Sequence, residues 1–357
     1  MTPSLPTAGR STSLASALGI AERLFSSPKE RRFVDAIELG LDAVEEGLAR
    51  EMSFADDLAD VTSRYLLQAG GKRVRPTLTL LTAQLGTGNN PEVVAAAEAL
   101  EITHLASLYH DDVMDEANMR RGVPSAQNVW GNSVAILTGD LLFARASKLM
   151  SRLGEEAIML QADTFERLCI GQLHETVGPQ GGEDPIAHYL QVLADKTGSL
   201  ISASAQMGVI FGEAPREYRA AVTEFGEKVG IAFQLVDDVI DLSPEVESTG
   251  KVAGTDLLSG VSTLPLLYLR ELAETDTDAA ELLARIEHDV ETASATADHA
   301  DFDAAIAQLR GHDVTRKTLD EARHWSREAV ESIAPLPRGP VKKALTRFAE
   351  SIVERSN

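Results

Sequence analysis

The segment "HDDVMDEANMRRG", from His110 to Gly122, places three aspartates within five positions and two arginines shortly after them. The preceding stretch, residues 92–116, carries apolar residues at the spacing of three and four that is typical of a helix. An apolar helix that ends in so many carboxylates is unusual, because Asp is a poor residue inside helices. The segment therefore predicts a packed helix whose end carries a functional acidic cluster.

The same helical periodicity extends through most of the chain. In "FVDAIELGLDAVEEGL", which begins at Phe33, apolar residues recur every three or four positions, and no sustained alternation typical of strands is present. The same pattern recurs in residues 77–86, 132–151, 155–177, 186–211, 215–242, 263–273 and 315–332. Short polar loops with Gly and Pro separate these segments. The sequence predicts one large all-α domain over residues 31–357, with the least regular packing in the acidic, Ala-rich segment 274–314.

The first 30 residues are rich in Ser, Thr, Ala and Pro, and they lack the compact basic region and cleavage site of a signal peptide. We expect a disordered head over residues 1–30, and a Ser-rich, acid-poor organelle transit peptide is the alternative. The chain has one cysteine, Cys169, so it cannot form an internal disulfide. This cysteine usage favours a reducing compartment, and the expected location is the cytoplasm.

The overall charge limits the partners of this chain. Lys and Arg number 33 and Asp and Glu number 55, which gives a net charge of −22. Such a chain is not attracted to a nucleic-acid backbone or to an anionic membrane by its average field. No apolar run is long enough to predict a membrane-spanning helix. An anionic ligand would therefore need local basic clusters or bound metal ions.

One acidic motif occurs twice, as D-D-V-M-D and D-D-V-I-D, and its members are Asp111, Asp112, Asp115, Asp237, Asp238 and Asp241. On a helix, positions i and i+4 share a face, so each motif presents a carboxylate pair with a third group nearby. At ~6 Å and an effective dielectric constant near 20, each pair costs about 2–3 kcal/mol of repulsion. A solvated acidic helix end would explain one such motif. Two copies favour facing carboxylate clusters that hold Mg²⁺ and, through it, a phosphorylated ligand.

Other polar groups align with these motifs. His104 lies two helical turns before Asp111, and Gln234 lies two turns before Asp241. Basic residues are grouped nearby in "GGKRVRP" and in later segments, and they are Lys72, Arg73, Arg75, Arg120, Arg121, Lys196 and Lys251. Basic turns are commonly solvated, and a single His on an apolar helix is commonly a core residue. In an acidic protein, however, this grouping indicates phosphate binding.

Six segments in a fixed order resemble one known family. They are "GGKRVRP", "HLASLYHDDVMDEANMRRG", "GQLHE", "KTGSL", "FQLVDDVID" and "GKVAGTDLLSG", and they span roughly residues 65–270. The chain resembles the all-trans polyprenyl diphosphate synthases. The resemblance implies a homodimer with an all-α fold of the isoprenoid synthase type, a central cavity, and about three Mg²⁺ ions per site.

The resemblance also implies individual roles. Direct metal binding is implied for Asp111, Asp115 and Asp237. Binding or orienting metal-bound water is implied for Asp112, Asp238, Asp241, Gln172 and Glu175. The allylic diphosphate would be held by Arg120, Lys196 and Lys251. Isopentenyl diphosphate would be held by Lys72, Arg75, His104 and Arg121. The residues implied beside the nascent carbocation are Thr197 and Gln234.

Product length is implied by the two positions four and five residues before the first aspartate. These are Ser107 and Ala106, and their small side chains imply an open tunnel and a product of roughly C30 or longer. On this interpretation, Phe at position 106 fits the tunnel and shortens the product. The alternative is that both are ordinary small residues at a contact between helices.

One position departs from the family pattern. The segment "GVSTLP" has Val261 where family members often have Lys, so one cation near the allylic diphosphate or its metals is missing. The alternatives that remain are a shorter-chain geranylgeranyl synthase, the catalytic subunit of a heteromeric synthase, and a class I terpene cyclase. The cyclase is disfavoured because its second metal motif usually differs from D-D-x-x-D. It would also leave Lys72, Arg75 and His104 without a role.

Overall fold

The computed structural model describes residues 27–243, 253–293 and 300–355, and in these ranges the predicted all-α class is confirmed. The helices are α1 (Pro28–Glu51), α2 (Asp57–Gln68), α3 (Val74–Ala83), α4 (Pro91–Met114), α5 (Ala126–Trp130), α6 (Asn132–Leu153), α7 (Glu155–Val177), α8 (Pro185–Leu193), α9 (Ser199–Phe211), α10 (Tyr218–Asp241), α11 (Thr255–Leu258), α12 (Leu264–Ala273), α13 (Thr277–Ala293), α14 (Ala300–Gly311), α15 (Asp313–Ser332) and α16 (Pro340–Glu354). A π-helical segment, Ala194–Gly198, separates α8 from α9. Two short antiparallel strands, β1 (Met119–Arg120) and β2 (Val123–Pro124), form the observed hairpin.

The described residues fall into two compact units. The first contains residues 27–166, 200–226 and 332–348. The second contains the described parts of 167–199, 227–331 and 349–355. The expectation of a single domain over residues 31–357 stays a prediction. None of the described helices is both long enough and apolar enough to cross a membrane.

The start of α1 lies slightly before the predicted domain boundary. The Ser27 side chain accepts a hydrogen bond from the Glu30 amide at 3.2 Å, and the Glu30 carboxylate accepts one from the Ser27 amide at 3.0 Å. This reciprocal capping box, with Pro28 at the first position, begins the helix. Residues 28–30 are therefore helical, and the rest of the predicted disordered head, residues 1–26, lies outside the described chain.

Helix α4 lies at the centre of the first unit, where it packs against α1, α3 and α6. It is buried on nearly all sides, as expected for a helix without a strongly polar face. Its start is capped by Asn90, whose side chain accepts a hydrogen bond from the Val93 amide at 2.9 Å. Helix α6 approaches closely at Gly139, where an added Cβ atom would lie 3.2 Å from the Ala106 carbonyl oxygen. This packing fixes the end of α4, which carries the first aspartate motif.

The expectation of irregular packing in residues 274–314 is wrong for the described part of that segment. Helices α13 and α14 occupy most of it, and α13 packs against α12 and α14. Their buried side chains include Leu282, Ile286, Phe302 and Ile306. Frequent Ala and acidic residues hide this spacing in the sequence, yet the few large apolar residues suffice to bury one face.

A buried carboxylate lies on α4, away from the aspartate motif. Glu98 is 3% exposed, and its Oε1 lies 3.7 Å from Nη2 of Arg50 on α1. Gly47 faces this carboxylate, because an added Cβ atom there would overlap it. Burial raises the pKa of Glu98 to about 7, against the partial opposition of Arg50 and with support from Glu51. The folded chain therefore binds a proton at pH values where the unfolded chain releases it.

We expect the contribution of Glu98 to the free energy of unfolding to fall as pH rises from about 4.5 towards 7. Over this interval the folded state keeps the Glu98 proton that the unfolded state has released. Glu98→Gln removes the ionisable group with little change of shape. It should leave stability nearly unchanged at pH 4 and raise the free energy of unfolding by roughly 2–3 kcal/mol at pH 8. Urea unfolding at both pH values measures the effect. Glu92→Gln, at an exposed position of the same helix, is the control. Equal pH dependence in wild type and Glu98→Gln would contradict this assignment.

Candidate active site

The first aspartate motif occupies the last turn and the C-cap of α4. Asp112 is fully buried, and its Oδ1 accepts a hydrogen bond from Nε of Arg120 at 2.6 Å. Burial raises the pKa of Asp112. Its Oδ2 is also buried and has no hydrogen-bond partner among the described residues. Asp111 is partly exposed and Asp115 is exposed. The middle carboxylate is thus held by the protein, and the outer two reach solvent.

The β1–β2 hairpin determines where the two arginines after this motif lie. Its two-residue loop is Arg121–Gly122, and both residues have positive φ, which is typical of a tight hairpin turn. Arg120, at the end of β1, reaches back to Asp112. Nη1 of Arg121 donates hydrogen bonds to the carbonyl oxygens of Leu66, at 3.0 Å, and Gly70. The hairpin therefore ties the acidic motif to the turn that contains the "GGKRVRP" segment.

That turn is fixed by Arg73. The sequence grouped Arg73 with the other basic residues near the motifs, and the family resemblance implied no individual role for it. Arg73 has a left-handed backbone conformation with φ of 54° and is 5% exposed. Its guanidinium pairs with Glu45 of α1 and, at 3.2 Å, with Glu101 of α4. Gly70 and Gly71 before it also have positive φ. Arg73 therefore has a structural role, because its ion pairs with α1 and α4 fix the turn before α3.

The neighbouring basic residues have different surroundings. Lys72 is exposed. The Nε atom of Arg75 is buried and has no hydrogen-bond partner among the described residues. Burial lowers the pKa of Arg75 to about 10, which leaves it charged at neutral pH. Burial, followed by the charges of Arg75 and Arg121, lowers the pKa of His104 well below its ordinary value, so its imidazole is neutral. A buried guanidinium nitrogen without a partner suits an anionic ligand.

The second aspartate motif lies at the end of α10 and repeats the arrangement of the first. Asp238 is 4% exposed, and its Oδ2 accepts hydrogen bonds from the Tyr189 hydroxyl at 2.7 Å and from the Leu264 amide at 3.4 Å. Burial raises the pKa of Asp238 to about 8. Oδ2 of Asp241 accepts a hydrogen bond from the Asp256 amide at 3.2 Å. Again the middle carboxylate is held inside the protein, while Asp237 and Asp241 are partly exposed.

The donor set of each motif fits a hard divalent cation. The outer carboxylates offer oxygen ligands of the kind that Mg²⁺ prefers, and Oδ2 of Asp112 is a further buried acceptor without a partner. Within the described ranges, no three His, Cys, Asp or Glu side chains converge on a single point as a complete metal site would require. Mg²⁺ ordinarily completes such a set with water and with phosphate oxygens of a substrate.

The π-helical segment Ala194–Gly198 contains Lys196 and Thr197. Nζ of Lys196 pairs with Oε2 of Glu175, a residue in the predicted set. Oε1 of Gln172 is buried and has no hydrogen-bond partner among the described residues. Close approach to α7 fixes the segment, because a Cβ atom added to Gly171 would lie 2.8 Å from the Lys196 amide nitrogen. Single π-helical turns are frequent at functional sites, and this one places Lys196 beside Gln172 and Glu175.

The remaining predicted residues differ in their burial. Gln234 is half-buried on α10. Lys251 lies outside the described residues. Ser107 is 7% exposed, and its hydroxyl donates a hydrogen bond to the His104 carbonyl at 2.9 Å. Ala106 has no exposed surface, and the expectation that it lines an open tunnel stays a prediction. Its backbone lies at the close approach of α4 and α6.

Several contributors to the site were missed by sequence reasoning. Tyr189 holds Asp238 across 49 positions, and Glu45 holds Arg73 across 28 positions, so no local pattern predicts either pair. Arg355, near the end of the chain, lies 3.3 Å from Asp237. Glu101 carried a signal, because it is a charged residue in a largely apolar stretch of α4, three positions before His104.

Comparisons with known proteins confirm the family that the motifs indicated. A model of the polyprenyl synthetase family matches residues 56–300. A nonaprenyl diphosphate synthase of Mycobacterium tuberculosis is 41% identical over 324 residues, which cover 90% of this chain and 94% of that protein. The match is broad as well as specific, since it extends well beyond the six motifs.

Solved structures agree with this result. A polyprenyl synthase from Caulobacter crescentus, complexed with calcium and isoprenyl diphosphate, matches with a TM-score of 0.82 and 28% identity, covering 98% of this chain and 100% of that one. A geranylgeranyl pyrophosphate synthase from Corynebacterium glutamicum, also complexed with calcium and isoprenyl diphosphate, matches with a TM-score of 0.77 and 38% identity, covering 93% of this chain and 99% of that one. The chain therefore belongs to the polyprenyl synthetase family, and it is a prenyl-transferring enzyme.

Proposed function

We propose that this enzyme condenses an allylic diphosphate repeatedly with isopentenyl diphosphate, in a reaction that depends on Mg²⁺, and releases a long-chain all-trans polyprenyl diphosphate. The observation that carries this proposal is the doubled aspartate motif. In each copy the middle carboxylate is buried and held by the protein, and the outer carboxylates reach solvent. The similarity to a nonaprenyl diphosphate synthase supports the long product.

The aspartates divide into two roles in this proposal. Asp111, Asp115 and Asp237 would hold Mg²⁺ directly, as the family resemblance implies, and each of them is at least partly exposed. Asp112, Asp238 and Asp241 would bind metal-bound water or orient it, and Arg120 and Tyr189 position the first two of these carboxylates. When bound, Mg²⁺ withdraws charge from the leaving diphosphate and so promotes cleavage of the allylic C–O bond. About three ions per site, as implied by the family resemblance, would be consistent with this set of ligands.

The basic residues divide between the two substrates. Lys196 and Arg120, with Lys251, hold the allylic diphosphate. Lys72, Arg75 and His104 hold isopentenyl diphosphate, and the buried Nε of Arg75 is the donor that most clearly needs an acceptor. Arg121 is expected at the same site, although its Nη1 is already bound to two carbonyl oxygens of the adjoining turn.

The proposed reaction makes and breaks bonds in three steps. Heterolysis of the C–O bond leaves an allylic carbocation and diphosphate. The double bond of isopentenyl diphosphate then attacks the cation and forms the new C–C bond. The resulting cation loses a proton to the released diphosphate, which restores a double bond and completes one extension. Thr197 and Gln234 provide dipoles beside the cation, and exclusion of water prevents its hydrolysis.

Asp111→Ala and Asp237→Ala each remove a proposed direct ligand. Turnover with isopentenyl diphosphate, a short allylic primer and Mg²⁺ should fall by about a hundredfold or more, because the charge of the leaving diphosphate is then poorly offset. The melting temperature should stay unchanged or rise, since repulsion among the carboxylates is reduced. Asp42→Ala, at an exposed position of α1, is the control. Near-normal turnover in either motif variant would refute the metal assignment.

The length of the product gives a separate prediction. Phe at position 106 should overpack the contact between α4 and α6 and lower the free energy of unfolding by about 1–3 kcal/mol. Ser107→Phe is expected to shorten the product by several isoprene units, as the family resemblance implies. Urea unfolding and chromatographic sizing of the products measure the two effects, and Ala43→Phe at an exposed position is the control for stability. A stable Ala106→Phe enzyme with shorter products would support the tunnel interpretation.

We further propose that the enzyme is a homodimer in a reducing cytoplasm, as the family resemblance and the single cysteine imply. Exposed apolar side chains on α6 and α7 support the dimer. Leu137 is 65% exposed and Met159 is 55% exposed, and their neighbours Ile136 and Ile158 are also exposed. Several large apolar residues exposed on two successive helices are typical of a surface that is covered in an assembly.

Leu137→Glu and Met159→Glu should weaken the dimer, because each places a charge in a contact from which water is excluded. Sedimentation velocity over a range of protein concentrations measures the effect, and the dimer should dissociate at concentrations at least about tenfold higher than in wild type. Leu58→Glu is a matched control, since Leu58 is 52% exposed on α2. A wild-type protein that sediments as a monomer would refute the dimer. Equal behaviour of all three variants would refute this surface.

A further inference from the structure

A cation from the end of the chain lies on the second aspartate motif. Arg355 follows the last residue of α16, and its Nη2 lies 3.3 Å from Oδ1 of Asp237. Its guanidinium also lies over the Phe233 ring, 4.9 Å from the ring centroid. Phe233 and Asp237 are four positions apart, so they share one face of α10. Arg355 is therefore oriented by two side chains of the helix that carries the motif.

This contact has little value for folding. The side chains of Arg355 and Asp237 are 34% and 38% exposed, and ion pairs with that exposure stabilise proteins only weakly. The stacked position over Phe233, however, restricts the guanidinium before any ligand arrives. A guanidinium carries five N–H donors, and one carboxylate oxygen satisfies only part of them. The arrangement is better suited to binding a phosphate group at the motif than to stabilising the fold.

The segment after the motif places an apolar residue near it. Residues 254–264 are attached to the motif at both ends. The Gly254 amide donates a hydrogen bond to the Asp241 carbonyl at 2.8 Å, and the Leu264 amide donates one to Asp238. Val261 lies inside this segment, and its amide donates to the Asp256 carbonyl at 2.9 Å. An apolar side chain thus occupies the position where the family resemblance implies Lys.

We propose that Arg355 supplies the positive charge that Val261 does not, by contacting the allylic diphosphate bound at the second motif. The proposal rests on the proposed function, since it assumes a diphosphate at this motif. It adds a binding residue that lies about a hundred positions from the motif in the sequence. Val261→Lys should therefore have little effect on diphosphate binding while Arg355 is present.

Binding can be measured without turnover. The probe is a thiolodiphosphate analogue of a short allylic diphosphate, which does not ionise readily, titrated calorimetrically into the full chain at saturating Mg²⁺. Arg355→Ala should raise the Kd of the analogue about tenfold, as expected for the loss of one charged contact. Arg355→Lys should raise it by only about threefold, because the charge is kept and the fork of donors is lost. Arg323→Ala, which removes an arginine from a surface pair on α15, should leave the Kd unchanged.

A double variant tests the link to position 261. Val261→Lys should restore the Kd of Arg355→Ala to within about twofold of wild type, while changing wild type by less than about twofold. The KM of isopentenyl diphosphate should stay the same in all four proteins. Melting temperatures within a degree or so of wild type would show that folding is not the cause.

Several results would overturn the proposal. Arg355→Ala with an unchanged Kd would mean that the guanidinium does not contact the ligand. A lower Mg²⁺ requirement with an unchanged Kd would show that Arg355 only competes with metal for Asp237. Equal tightening by Val261→Lys with and without Arg355 would show that the two positions act independently. If wild type itself neither binds the analogue nor turns over substrate, the proposed function fails, and that outcome is distinguishable from the others.

Discussion

Burial of the middle carboxylate in each aspartate motif is the constraint on which the rest of the site depends. A buried carboxylate is costly unless a donor satisfies it, so Asp112 requires Arg120 and Asp238 requires Tyr189. Each pairing also fixes a neighbouring segment. Arg120 fixes the β1–β2 hairpin, and the contact of Asp238 with the Leu264 amide fixes the start of α12. The outer carboxylates of both motifs are at least partly exposed.

The turn that carries the basic residues before α3 also depends on a buried charged side chain. Arg73 is buried and paired with Glu45 and Glu101, whereas Lys72 is exposed and Arg75 is half-buried. Because Arg73 occupies a left-handed conformation, the chain reverses sharply there before α3 begins. The ion pairs of Arg73 thus fix the turn that carries Lys72 and Arg75. In the motifs and in the turn, a buried charged residue pairs with other groups of the protein and fixes the backbone. Neighbouring charged residues on the same backbone remain at least partly exposed.

The periodicity of the sequence was sufficient to predict the helical class, because long apolar stripes at three-and-four spacing leave no other fold class. The doubled motif was sufficient to predict an acidic site, since no packing role explains two such clusters. Sequence could not predict which aspartate in each motif is buried, because Tyr189 and Arg120 reach them only in the folded chain. It also missed the π-helical segment around Lys196, since a single extra residue per turn leaves no periodic trace. Ala106 shows a further limit, because a small residue is compatible with both a tunnel and a tight helix contact.

We propose that the two aspartate motifs support metal-dependent chain elongation by this chain alone. The most direct test is incubation of the purified chain with isopentenyl diphosphate and a short allylic diphosphate, with Mg²⁺ or with a chelator, followed by sizing of the products. We expect a long-chain polyprenyl diphosphate with Mg²⁺ and none with the chelator. Product that forms equally with the chelator, or a chain that is inactive under both conditions, would contradict this proposal.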